Sequence, residues 1–214
     1  MLSFFRRNIV LILGLLLQVV VYIIAPSHPI SLVSGLMGVC SVVLSAQRNI
    51  WTFFFGFAQV LTYSYLCWGE RFYAELLLNA YYFLTMLYGV WVWHKHLGVE
   101  TEKFVVETRK LSLVALFSVC IATLLFSILV GWLLAVYTDD SQPYMDALTT
   151  VPAMVAQILM ILVYREQWCI WLLVDILATL MWVEAGDYCM AAQYIFWCGN
   201  CIYGYVLWSR STRD

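Results

Sequence analysis

Two stretches of the chain carry residues whose types and spacing could do chemistry. The first, "FWCGNC" at 196–201, sets Cys198 and Cys201 in the Cys-x-x-Cys spacing of disulfide oxidoreductases. The second, "QWCIWLLVD" at 167–175, spaces Trp168, Trp171 and Asp175 at i, i+3 and i+7, one face of a helix. Indole faces beside a single carboxylate suit a flat heteroaromatic ligand, above all one with a cationic ring. Which of these is a site depends on the elements that hold them.

Composition names the solvent of those elements. Hydrophobic residues are 64% of the 214, charged residues 11%, and the mean hydropathy is +0.86. A soluble domain carries about 25% charged residues, so most of this exterior faces lipid and the net charge of −2 says little about partners. A spanning helix needs about 20 apolar residues. Eight such runs are expected, at 8–25, 30–46, 50–67, 71–93, 110–137, 144–163, 167–184 and 188–208. The first follows Arg6 and Arg7 like a signal peptide. Its end, "APSHP", lacks a small-x-small cleavage site, so it is expected to be a retained helix.

Charge sets the orientation. With both termini on one side, that side receives Arg6, Arg7, Arg48, Lys95, Lys103, Arg109, Lys110, Arg165, Arg210 and Arg213. The other side receives Arg71 alone, with the acidic Asp139, Asp140, Glu184 and Asp187. By the positive-inside rule both termini are expected to be cytoplasmic.

The chain also repeats itself. Trp51 can be laid on Trp171 at an offset of 120. After a gap in the turn, Tyr73, Tyr88, Gly89 and Trp93 fall on Tyr188, Tyr203, Gly204 and Trp208 at an offset of 115. The expected fold class is an all-α integral membrane protein with eight transmembrane helices. Residues 1–29 form an N-terminal helix, 30–93 a first three-helix repeat, and 94–143 a cytoplasmic loop and linker helix. Residues 144–208 form the second repeat and 209–214 a cytoplasmic tail. Three helices reverse the direction of the chain and one linker helix restores it, so the two repeats are expected to run parallel, with a substrate site near mid-membrane between them.

The repeat disposes of the thiols. Cys198 and Cys201 take the places of Phe83 and Met86, in mid-helix and far from the helix N-terminus that a reactive thiolate uses. Core packing is expected, as for the single cysteines 40, 67, 120, 169 and 189. Polar groups at membrane depth remain as site candidates, because they usually face a cavity or the bundle interior. They are Asp175, Asn79, Gln157, Gln193 and Asn200, with Gln193, Trp197 and Asn200 sharing one helix face. Gln59 is a further buried amide, while Glu75 and Asp146 lie nearer helix ends. Trp51, Trp171 and Trp197 are the indoles expected to meet a ligand. The residues of helix seven can equally serve as interhelical partners. Pro152, inside helix six, removes a backbone donor and marks a hinge. No P-loop, HExxH or mid-helix histidine is present, so neither an enzyme nor a cofactor or metal site is expected, and no nucleic-acid partner. A small-molecule carrier results. The competing class is a membrane interaction subunit that transports nothing.

Three stretches now carry a family resemblance across about 30–208. "FYAELLLN…LYGVWVW", "MDALTTVPAMVAQ" and "REQWCIWLLVD" resemble, in this order, the signatures of the PnuC family of bacterial vitamin transporters. The resemblance implies a 3+1+3 fold similar to the SWEET sugar transporters and facilitated diffusion of nicotinamide riboside, trapped by cytoplasmic phosphorylation. It also implies a homotrimer set in membrane lipid. It makes Trp168, Trp171 and Asp175 the central wall of the pocket, and Gln157 and Asn79 partners of the carboxamide or ribose. Thiamine, another cationic aromatic ring, is the alternative substrate; riboflavin and a neutral sugar fit less well. Where many members carry Leu-Gln, this chain has Leu78-Asn79, an amide one methylene shorter.

Overall fold

The computed structural model describes residues 2–26, 28–70, 73–96, 106–139, 142–184, 186 and 188–211. Among them are eight α-helices and no strand beyond an isolated bridge. They are α1 (Leu2–Ile24), α2 (Pro29–Ala46), α3 (Thr52–Glu70), α4 (Tyr73–Lys95), α5 (Leu113–Tyr137), α6 (Pro143–Ile161), α7 (Gln167–Glu184) and α8 (Tyr188–Arg210). Among the described residues five stretches, in α2, α4, α5, α6 and α7, are long and apolar enough to cross a membrane. In α3 and α8 the tyrosines, Gln59, Gln193 and Asn200 dilute the apolar run. Of the charges that set the orientation, Arg71, Lys103, Asp140, Asp187 and Arg213 lie outside the described residues.

The chain divides at Glu107/Thr108 into two compact units. In the first, α1 packs on α2, α2 on α3 and α3 on α4. In the second, α5 packs on α6, α6 on α7 and α7 on α8. The helix expected to be a linker is therefore part of the second unit by contact. Tyr144 of α6 closes over Gly131 of α5, and a Cβ there would lie 2.6 Å from its ring. In the first unit Gln18 of α1 lies against Gly35 of α2.

Local sequence explains the ends. Pro29 and Pro143 begin α2 and α6 at a position where the missing N–H has no helical partner anyway. Ser112 caps α5, its Oγ accepting from Ala115 N at 3.2 Å. α2 and α6 end alike. Asn49 N reaches Leu44 O and Arg48 N reaches Ser45 O, each at 2.9 Å. Tyr164 N reaches Leu159 O at 2.9 Å and Val163 N reaches Met160 O at 3.1 Å. These are Schellman turns, whose C′ residue sits in the left-handed region and is usually glycine. Here the residues are Arg48, at φ 60°, and Val163, at φ 59°. For a β-branched residue that conformation costs roughly 1–2 kcal/mol, so the surroundings must hold it.

A short extended segment does so in each unit. Val106 N bonds Arg48 O at 3.0 Å, and Arg48 Nη1 returns to Val106 O at 3.2 Å. Arg109 N bonds Val163 O at 2.8 Å and Arg165 N bonds Arg109 O at 3.1 Å. Buried Thr108 donates to Trp208 O at 2.8 Å. Leu111 N donates to Glu166 Oε2 at 3.1 Å, and Glu166 Oε1 accepts from Arg165 Nε at 3.2 Å. Arg109, Lys110, Arg165 and Arg210 thus gather at one end of the second unit.

Helix bounds correct the register of the internal match. Thr52 opens α3 as Gln167 opens α7, and Tyr73 and Lys95 bound α4 as Tyr188 and Arg210 bound α8. One shift of 115 residues covers the two left-handed caps, Arg48 and Val163, and every helix start from α3 and α7 onward. The gap expected in the turn is not there, and Trp51 falls opposite Glu166 rather than Trp171. The shared bounds are compatible with a duplicated unit.

Candidate functional site

Two of the site candidates of the second unit, Asp175 and Trp168, meet α8 across the seam between α7 and α8. Asp175 sits in mid-α7 at 7% exposure, with Oδ2 accepting from Cys201 Sγ at 3.3 Å. Its backbone carbonyl also accepts from Thr179 Oγ1 at 2.7 Å. Cys201 is buried and, like Cys198, a free thiol. The pair forms no disulfide, and the packing role expected of Cys201 is joined by a hydrogen bond to the carboxylate that spacing alone does not reveal.

Trp168 is enclosed rather than open. Its ring lies edge-on to Trp208, with centroids 5.9 Å apart at 85°. Gly204 passes beneath it so closely that a Cβ would stand 2.5 Å from Cε2. The geometry packs Trp168 against α8 and leaves its buried Nε1 without a hydrogen-bond partner. Trp171, one turn further along, is half-buried.

On α8, Gln193 and Trp197 are half-buried and Asn200 is fully enclosed. Neither Nδ2 nor Oδ1 of Asn200 has a partner among the described residues. On α6, Gln157 is buried and Pro152 lies buried within the helix. In the first unit Asn79 is buried on α4. Trp51 lies in the turn before α3, 48% exposed and edge-on to Phe54 at 5.9 Å, which suits an interfacial aromatic better than a ligand wall.

One polar residue of this region went unread in the sequence. Gln167, first residue of α7, has a side chain with no exposed area, and neither Nε2 nor Oε1 finds a partner. Its helical spacing to Trp171, i to i+4, was the available signal. The large majority of buried side-chain polar atoms are hydrogen-bonded, so the open amides of Gln167 and Asn200 stand out. Among the described residues, no group of histidines, cysteines and carboxylates could hold a metal ion.

Apolar helices that enclose a carboxylate, indoles and unpartnered amides define a multi-pass membrane protein of the transporter class. Residues 28–210 match the family described as nicotinamide mononucleotide transporter. The chain is 30% identical to the nicotinamide riboside transporter PnuC of Neisseria mucosa, covering 95% of this chain and 80% of that one. It is 31% identical to the protein of the same name from Haemophilus influenzae, covering 95% and 89%. A crystal structure of the vitamin B3 transporter PnuC superposes with a TM-score of 0.80 at 29% identity, covering 95% of this chain and 90% of that one. The chain belongs to the PnuC family of membrane transporters. These relatives are named as transporters, not enzymes.

Proposed function

We propose that this transporter carries nicotinamide riboside into the cell by facilitated diffusion, with phosphorylation of the nucleoside in the cytoplasm making uptake one-way. The observation that carries the reading is Asp175, a carboxylate buried in mid-α7 one turn beyond the half-buried Trp171. A cationic pyridinium ring gains from the carboxylate's charge and from the indole face, the latter by about 0.5–2 kcal/mol. The relatives named as nicotinamide riboside transporters support the same substrate.

In this reading Gln157 and Asn200 hydrogen-bond the polar parts of the ligand, and Gln193 and Trp197 line α8 beside it. Asn79 is the candidate contact of the first unit. Trp168 acts through packing, by holding α8 against α7, and Pro152 supplies a hinge in α6. The protein is proposed to sit in a bacterial inner membrane, with both termini cytoplasmic, as a homotrimer.

Titration of the purified protein with nicotinamide riboside, thiamine and riboflavin, followed by tryptophan fluorescence, tests the substrate. Saturable quenching by nicotinamide riboside alone is expected. A response to thiamine alone would move the substrate and make Asn79 the first residue to examine. Silence from folded protein with all three ligands would sink the vitamin-carrier reading. Uptake into proteoliposomes without an ion gradient tests the passive mechanism.

A further inference from the structure

Gln167 holds the observation that the site above leaves unused. A buried amide group without a partner costs about 1–3 kcal/mol, and here both heads of the amide are enclosed and unpaired. The first unit shows how the same place can be closed. Thr52, which opens α3 as Gln167 opens α7, donates from Oγ1 to Ser41 O at 2.8 Å. Ser41 Oγ in turn donates to Thr52 O at 3.0 Å. At the place of Ser41, counted back from the helix cap, the second unit has Ala156. At the matching register the closed hydroxyl pair gives way to a longer, two-headed amide and an alanine.

Position on α7 says what could pair with it. Eight residues separate Gln167 from Asp175, about 12 Å of helical rise, with Trp171 between them. A contact of about 3 Å at each end leaves about 6 Å for the ligand between its charged ring and its polar far end. A ribosyl group on a ring nitrogen fills that length and ends in hydroxyls. An amide offers one N–H donor and one carbonyl acceptor side by side, and a cis-diol offers the complementary acceptor and donor. We infer that Gln167 is a specificity-determining residue whose amide reads the ribose hydroxyls of a substrate with its cationic ring at Asp175 and Trp171. This inference rests on the proposed substrate. It separates a ribosylated ring from the bare one.

The test is a pair of titrations on the full chain in detergent, with nicotinamide riboside and with 1-methylnicotinamide, the ring-nitrogen-methylated cation that replaces ribose by methyl. Gln167→Met keeps the length of the side chain and removes its amide. The expected result is a loss of at least tenfold in affinity for the riboside, with 1-methylnicotinamide binding within twofold of wild type. The melting temperature should hold or rise, because the unpaired amide is gone. Equal weakening of both ligands, or no change in either, would overturn the inference and leave Gln167 a structural residue. Failure of the wild type to bind the riboside would instead sink the proposed function, before any variant is made. If Gln167→Met is not recovered folded, Gln167→Thr, the residue at the matching place in the first unit, carries the same comparison.

Discussion

The two units build the same frame and fill it differently. Phe53 meets Trp93 edge-on at 5.1 Å in the first, and Trp168 meets Trp208 edge-on at 5.9 Å in the second. Around that shared pair the interiors diverge. Gly56 of α3 lets Met86 of α4 and Ser41 of α2 close in, at 2.8 and 3.1 Å from where a Cβ would stand. The matching residue of α7 is Trp171, so an indole occupies the register at which three helices of the first unit meet. Thr85 satisfies its hydroxyl on its own helix, at 2.9 Å from Tyr81 O and 3.0 Å from Tyr82 O. Its match, Asn200, is left with both amide atoms open. Val60 is matched by Asp175, and Met86 by the smaller Cys201, which donates to that aspartate. One interior is closed for packing, while the other keeps polar groups whose partners must come from elsewhere.

Exchanging the matched residues is the strongest way to break this contrast. Gly56→Trp forces an indole into the space of Met86 and Ser41, an overpacking beyond the usual 1–3 kcal/mol, and little folded protein should be recovered by size-exclusion chromatography. The reverse change, Trp171→Gly, should leave a folded protein whose affinity for nicotinamide riboside falls by about thirtyfold, or about 2 kcal/mol. Equal tolerance of both changes would show that the interiors do not differ in the way described.

Asp175→Val puts the first unit's residue into the second. An affinity loss of roughly tenfold or more for the cationic riboside is expected, since bonds to charged groups contribute about 1.5–3 kcal/mol. Binding of a reduced, neutral-ring riboside should fall much less, and isothermal titration of both ligands measures the difference. A smaller effect separates the close seam from the open face of α8. Gly204→Ala meets the rigid Trp168 ring and should lower stability by about 1–3 kcal/mol. Gly199→Ala meets nothing within 4 Å and should raise it by about 0.5–1 kcal/mol. Thermal unfolding in detergent compares the two.

Much of the fold was legible because lipid imposes long apolar runs, and each expected span lies within a few residues of an observed helix except at the start of α1. Its Leu2 start draws Arg6 and Arg7 into the helix. The face carrying Trp171 and Asp175 was legible from helical spacing. Spacing does not say what lies opposite a face, which is why the contacts of Trp168 with Gly204 and Trp208 could not be read from it. Register failed in the turn. Trp51 and Trp171 attract an alignment because both are tryptophans, whereas the phase is set by the left-handed caps at Arg48 and Val163, where neither residue is the glycine that would have announced them. Gln167 escaped notice because an amide beside Arg165 and Glu166 reads as part of a wet helix end.

The clamped turns also bear on the order of synthesis. Residues Thr108–Leu111 leave the ribosome about 55 positions ahead of the Glu166 that they hold, so a waiting strand greets the strained Val163 turn as it emerges. In the first unit the order is reversed, since Val106 follows Arg48 by 58 positions. The earlier turn must therefore stand unsupported while α3 and α4 are translated. Arg48, with no branch at Cβ, tolerates that delay better than a valine would. The turn of the first unit is thus closed by that unit's last residues, and the turn of the second by its first.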